Sequence, residues 1–300
     1  MEGNVLKAMI NRFRFEWGLM GFLILVGVSL KFSTVVTVAF MGLLILTIGM
    51  PHGACDVFVI RQQSKSIISL ITRLSLYLAL AVSMYLLWQI QPHVFWILAF
   101  GLSLLHFLSI EWTLRFSGVF APDLAVAALF FVPILKKEEF VEAMRSLQGE
   151  AFAMAVLAHE KLIFAILLGM ICWRLVFFGS RLRHCVLLCL SMICFFTLPL
   201  WPAFLSFFLI IHSLRHLELS FQRFPQLRSG FYWRVLLPIS ALSMLPALWL
   251  FEANQEFLPR VAICLLCLTA PHFLLEEWAR FTKSNRSDPL SATFDTHDIR

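Results

Sequence analysis

Charged side chains are what this chain has least of. Asp, Glu, Lys and Arg make up 14% of its 300 residues, against about 25% in a soluble domain. Apolar residues make up 60%, and the mean hydropathy is +0.84. No soluble fold of this size has an interior large enough to hide that much apolar surface, so lipid is the solvent for most of it. No cleavable leader is expected either. The basic N-terminal stretch has no small-residue cleavage site ahead of Phe15, so 15–31 reads as a first span and not a removed signal peptide. Cysteines in polar loops are missing too: Cys55, Cys172, Cys185, Cys189, Cys194, Cys264 and Cys267 all fall in apolar runs. No structural disulfide is expected from them, and the CxxC of Cys264 and Cys267 reads as two small packing residues. Internal repeats are absent.

What remains is a series of apolar segments. A span needs about 20 mainly apolar residues, and ten candidates emerge: 15–31, 34–60, 67–90, 94–115, 120–135, 158–178, 184–200, 202–222, 234–251 and 258–280. The fifth is short and the second long, so the expectation is an all-α integral membrane protein, a bundle of about 8–10 transmembrane helices. Residues 1–280 form the membrane domain, and 281–300 read as a polar, disordered cytoplasmic tail. The stretch 136–157 reads as the one sizeable loop, mixed in charge and partly helical. Lys and Arg gather at alternate ends of the spans, at Arg61, Lys65, Arg73, Arg115, Arg181, Arg183, Arg223, Arg228, Arg280 and Lys283 among others. The opposite ends carry only Lys31, Lys136, Lys137, Arg145, Lys161 and Arg260. That asymmetry places both termini in the cytoplasm. The tryptophans fall near span ends, as an interfacial belt would. The net charge of +6 is then explained by a cytoplasmic face meeting anionic lipid, with no nucleic-acid partner.

Five of the nine histidines lie within apolar spans: His52, His106, His212, His216 and His272. Ionisable groups at membrane depth are costly and mark function by default. Each stands seven to eleven residues from the next cytoplasmic-end arginine, on spans running in the same direction. At about 1.5 Å per residue the rings share one depth, and imidazoles converging at one level of a bundle make a metal site. His212 and His216, at i and i+4, share a helix face. Asp56 and Glu276 follow His52 and His272 by four residues, and Glu111 and Glu218 lie nearby. Such carboxylates accept the second ring N–H of a ligating imidazole.

An all-imidazole site suits Fe, Cu, Zn or Ni. A zinc protease would carry Glu directly after the first histidine of its pair as base, and the stretch between His212 and His216 lacks it. Bis-histidine haem wants two histidines on each of two facing helices, and only one span carries two. A haem-binding electron carrier and a transporter with a histidine relay remain open as alternatives at this level.

Three motifs narrow the choice: Pro51, His52, Gly53, Ala54 and Asp56; His106 with Phe107; and His212, Ser213, Arg215 and His216. A fourth element is Pro271 with His272. Together they resemble the Brp/Blh family of microbial β-carotene 15,15′-dioxygenases, from about residue 45 to 280. The resemblance implies a four-histidine Fe(2+) centre at His52, His106, His212 and His216, with His272 as a further ligand or outer partner. It also implies a multi-pass protein of the cell membrane. Its partners would be β-carotene or a related carotenoid taken from the lipid bilayer, and O2 added across the central C15–C15′ double bond to give two retinal molecules. The chain departs from the family pattern at Cys55, Val57 and Leu108, which leaves the four histidine positions intact.

Overall fold

A computed structural model describes residues 41–114, 126–178, 182–224, 232–249 and 257–284. Every element among them is helical. We label them α1 (Met41–Gln63), α2 (Ile67–Ile90), α3 (Pro92–Leu114), α4 (127–135), α5 (Lys137–Ser146), α6 (Glu150–Ala158), α7 (Glu160–Phe178), α8 (Leu182–Thr197), α9 (200–223), α10 (232–249) and α11 (Phe257–Ser284). Among the described residues, five helices are long and apolar enough to cross a membrane: α1, α2, α3 over Pro92–Ser109, α9 over Leu200–Phe221 and α11 over Val261–Ala279. A sixth arises if α6 and α7, bent by 63° at their junction, count as one span. The expected span at 15–31 lies outside the described residues. Helix α11 runs through Ser284, four residues into the segment read as tail, and 285–300 also lie outside.

Local chemistry sets the boundaries. Helix α2 starts where Ser66 accepts the N–H of Ser69 through its hydroxyl at 3.2 Å, an N-cap that satisfies one orphan donor. It ends at Gln91, because Pro92 has no N–H to continue the ladder and suits the first turn of α3. Helices α8 and α9 are closed by a third element. Lys136 Nζ donates to the carbonyl of Phe196 at 3.0 Å, at the end of α8. Glu139 accepts the N–H of Leu200 at 2.7 Å, at the start of α9. Charges of these signs at these ends also complement the helix dipoles.

Three helices carry a π-helical turn, with N–H bonded five residues back, at Ile45–Gly49, Ala127–Phe131 and Tyr232–Leu236. Each is followed after one residue by a proline: Pro51, Pro133 and Pro238. A proline ring clashes with the carbonyl four residues before it. Those carbonyls belong to Thr47, Leu129 and Arg234, the central residue of each π turn, and the widened turn carries them clear. A fourth π segment, Phe207–Ser213, contains His212. Gly49 permits the two π segments of α1 and α9 to touch: a Cβ there would stand 3.0 Å from Leu209 Cδ2 and 3.1 Å from Phe208 Cε1.

The stretch read as a loop, 136–157, is instead part of the packed interior. Helices α5 and α6 bury Phe140, Met144, Phe152, Ala153 and Val156. They are stapled by Trp88 and Trp96, whose indole N–H groups both donate to the carbonyl of Leu147, at 2.9 and 3.2 Å. These two tryptophans sit at span ends as expected, but they are buried there and hold backbone, not lipid headgroups. The outward face of α2 is the reverse case. Ile68, Leu76, Leu78 and Ile90 are each at least 60% exposed, an apolar ridge that water would not tolerate.

Candidate metal centre

Four helices deliver five imidazoles to one place. His52 comes from α1, just after its π turn; His106 from α3; His212 and His216 from α9; and His272 from α11, one residue after Pro271. All five are buried. Ring centroids lie 5.3, 5.2 and 5.3 Å from His52 to His212, His216 and His272. From His106 they lie 4.9, 6.1 and 4.7 Å to the same three. His212 and His216 are 6.1 Å apart.

Orphaned nitrogens occur within this cluster. His52 Nδ1, His106 Nε2 and His212 Nε2 are buried and have no hydrogen-bond partner among the described residues. A buried polar atom left so is costly and calls for an explanation; a bound cation supplies one. His52, His106 and His272 each offer a ligand atom within 4.8 Å of the others. Three nitrogens around one ion, each about 2.0–2.2 Å from it, would be about 3.0–3.8 Å apart, so a bound ion would draw the three inward by about 1–2 Å. The donor set therefore fits a transition-metal ion of the kind that imidazole favours.

The carboxylates pair across helices. Asp56, four residues after His52, accepts instead from His272 Nδ1–H at 2.7 and 2.9 Å. Glu276, four after His272, lies 3.9 Å from His216 Nε2. Ser220 Oγ stands 3.5 Å from His216 Nδ1. Glu218 is half-buried two residues beyond His216, a spacing that puts it on another face of α9. Glu111 belongs to α3, but its side chain lies outside the description.

One elongated cavity of about 430 Å³ touches His52, His106, His212 and His272, and its walls are otherwise almost wholly apolar. It reaches along α3 to Trp96, where Phe140, Ala143 and Met144 of α5 also line it. In the other direction it passes Asp56 and Ile60 of α1 to Leu74, Tyr77 and Leu78 of α2 and Ser243 of α10.

A profile of the family described as β-carotene 15,15′-dioxygenase matches residues 43–280, which include all five histidines. The chain belongs to the β-carotene 15,15′-dioxygenase family. A relative named β-carotene 15,15′-dioxygenase, from uncultured marine bacterium 66A03, is 24% identical over 271 residues. The match covers 81% of this chain and 94% of that protein. No solved structure matches the chain.

In this member of the dioxygenase family, two polar residues at the cluster escaped sequence reasoning. Tyr77 of α2 donates its hydroxyl to Asp56 Oδ2 at 2.8 Å, and Ser220 faces His216. For Tyr77 a signal existed: it is one of only three tyrosines in the chain and lies mid-span. A hydroxyl there needs a partner, because lipid offers none.

Proposed function

We propose that the chain is a membrane-embedded non-haem iron dioxygenase that cleaves the central C15–C15′ double bond of β-carotene with O2, giving two molecules of retinal. The observation that carries this reading is the position of the imidazole cluster part-way along a long apolar cavity. Counting at about 1.5 Å per residue, the cavity wall extends about 15 Å from His106 to Trp96 on one side. It extends about 12 Å from His52 to Ile60 on the other, by the same rise. A rod-like polyene lying in such a cavity presents its middle to the cluster. The family and the name of the relative point to the same reaction.

Fe(II) would be held by His52, His106, His212 and His216. When bound, it supplies the one-electron reactivity that ground-state dioxygen needs to attack a closed-shell alkene. The chain's own residues do the rest. Phe100, Phe107, Phe204 and Phe208 line the cavity and exclude water, and their stiff walls keep the polyene extended. The balance is self-contained: one carbon–carbon double bond breaks, two carbon–oxygen double bonds form, and both oxygen atoms of O2 end in the two aldehydes. No external reductant is consumed. The exposed apolar ridge of α2 supports a home in the cell membrane, where the carotenoid dissolves.

Expression in a host that accumulates β-carotene tests the reading. Loss of colour with stoichiometric retinal, and about one non-haem iron per purified chain, is the expected result. Metal-free protein that leaves the pigment intact would favour a histidine-relay transporter, and a Soret band would favour a haem carrier.

A further inference from the structure

Asp56 is poorly accounted for as a helix staple alone. Its carboxylate is buried and collects two donors from two other helices: His272 Nδ1–H of α11 and the Tyr77 hydroxyl of α2, converging on Oδ2 at 2.7 and 2.8 Å. A carboxylate that accepts from Nδ1 fixes the imidazole as the Nδ1–H tautomer. The lone pair is then on Nε2, the only nitrogen of His272 left to face a metal. His272 is also one of the three histidines whose ligand atoms already lie within 4.8 Å of one another. Its ring lies 4.7 Å from that of His106 and 5.3 Å from that of His52.

We infer that His272 is a metal ligand through Nε2, and that Asp56 and Tyr77 are its positioning residues, forming a relay from α2 through α1 to α11. The inference rests on the metal-centre reading above and adds to it a ligand from α11. The relay has a physical purpose. His272 follows Pro271 inside α11, where the missing N–H and the ring clash weaken the turn that carries the imidazole. A ring on a weakened turn swings unless something outside the helix holds it. Asp56 supplies that hold and raises the basicity of the ligating nitrogen. Tyr77 in turn fixes which way the Asp56 carboxylate faces, since its hydroxyl can reach only one oxygen. His216 differs in its surroundings: Ser220 Oγ stands 3.5 Å from its Nδ1 and Glu276 Oε1 3.9 Å from its Nε2.

The test is iron retention, read separately from turnover. Purified full-length protein, reconstituted with Fe(II), is dialysed against graded chelator. The bound iron is counted, and the electron paramagnetic resonance spectrum of the nitric oxide adduct is recorded. H272A is expected to lose iron at chelator concentrations at least 10-fold lower than wild type and to alter the spectrum. Y77F, nearly isosteric, should retain the fold and release iron at chelator concentrations several-fold lower, with D56N between the two. Y85F, on the same helix, should match wild type. Wild-type iron retention and an unchanged spectrum in H272A would overturn the inference. If H272A fails to accumulate, Y77F decides: retention equal to that of Y85F overturns it. Wild-type protein that binds no iron at all would instead remove the metal-centre reading on which the inference stands, an outcome distinct from a defect confined to the variants.

Discussion

At the scale of single residues, the pattern most open to sequence reasoning is the histidine set. Residue counting to the arginines puts five imidazoles at one level because a helix converts sequence separation into depth at a constant rise. What counting cannot supply is which carboxylate serves which ring. Spacing by four points Asp56 at His52 and Glu276 at His272. The chain instead pairs Asp56 with His272 and leaves Glu276 3.9 Å from His216, because neighbouring helices meet those faces of α1 and α11. The tryptophans teach the same lesson. The belt rule locates Trp88 and Trp96 at a span end, and only packing shows that α5 and α6 cover them. That packing makes Gly149 a sensitive position. A Cβ there would stand 2.4 Å from both Met144 Cε and Trp96 Nε1, so Trp96 would have to give up its bond to Leu147. Gly149→Ala is expected to destabilise the protein by about 1–3 kcal/mol, the range for overpacking. The check is a lowered thermal midpoint in detergent with iron content unchanged below it.

At the scale of elements, the apolar runs give the long helices directly, and their ends follow from Ser66, Pro92 and Pro199. Helix α5 was also open to reading: Phe140, Met144 and Leu147 form an apolar stripe at helical spacing, half hidden among Lys137, Glu138, Glu139 and Arg145. The π turns are harder, because proline in a span signals a disturbance without saying whether the helix kinks or widens. Here the prolines allow a prediction. Pro51→Ala restores an N–H able to bond the Thr47 carbonyl, so the π turn at Ile45–Gly49 loses its cause. Returning that turn to α geometry rotates His52 by up to about 100° relative to the preceding helix, the angle per residue of a 3.6-residue turn. Iron content should fall at least 10-fold in P51A. The matching change at Pro133, whose π turn precedes no histidine, should leave iron content as in wild type. Equal iron in both variants would show that contact of Gly49 with Leu209 and Phe208 holds the turn without the proline.

At the scale of the whole molecule, the cavity joins elements that no local pattern links: α5 lines one end, and α2 and α10 border the other. Its existence was not legible because its walls are Phe, Leu, Ile and Ala, the same residues that fill any bundle core. Leu78 lines this cavity and is also 60% exposed on the outward apolar face of α2. On the proposed function, a polyene would pass from the hydrocarbon to the cavity beside Leu78 without crossing an aqueous step. The kinetics that follow are those of surface dilution. The effective substrate concentration is the mole fraction of carotenoid among the lipids, and the volume of buffer is immaterial. In vesicles, adding carotenoid-free lipid by fusion at fixed enzyme and fixed total carotenoid should slow turnover in proportion, below saturation. A tenfold dilution with buffer should leave the rate per enzyme unchanged. On the same reading the aldehydes would be delivered into the membrane, where a growing mole fraction of product would compete with the substrate for the cavity.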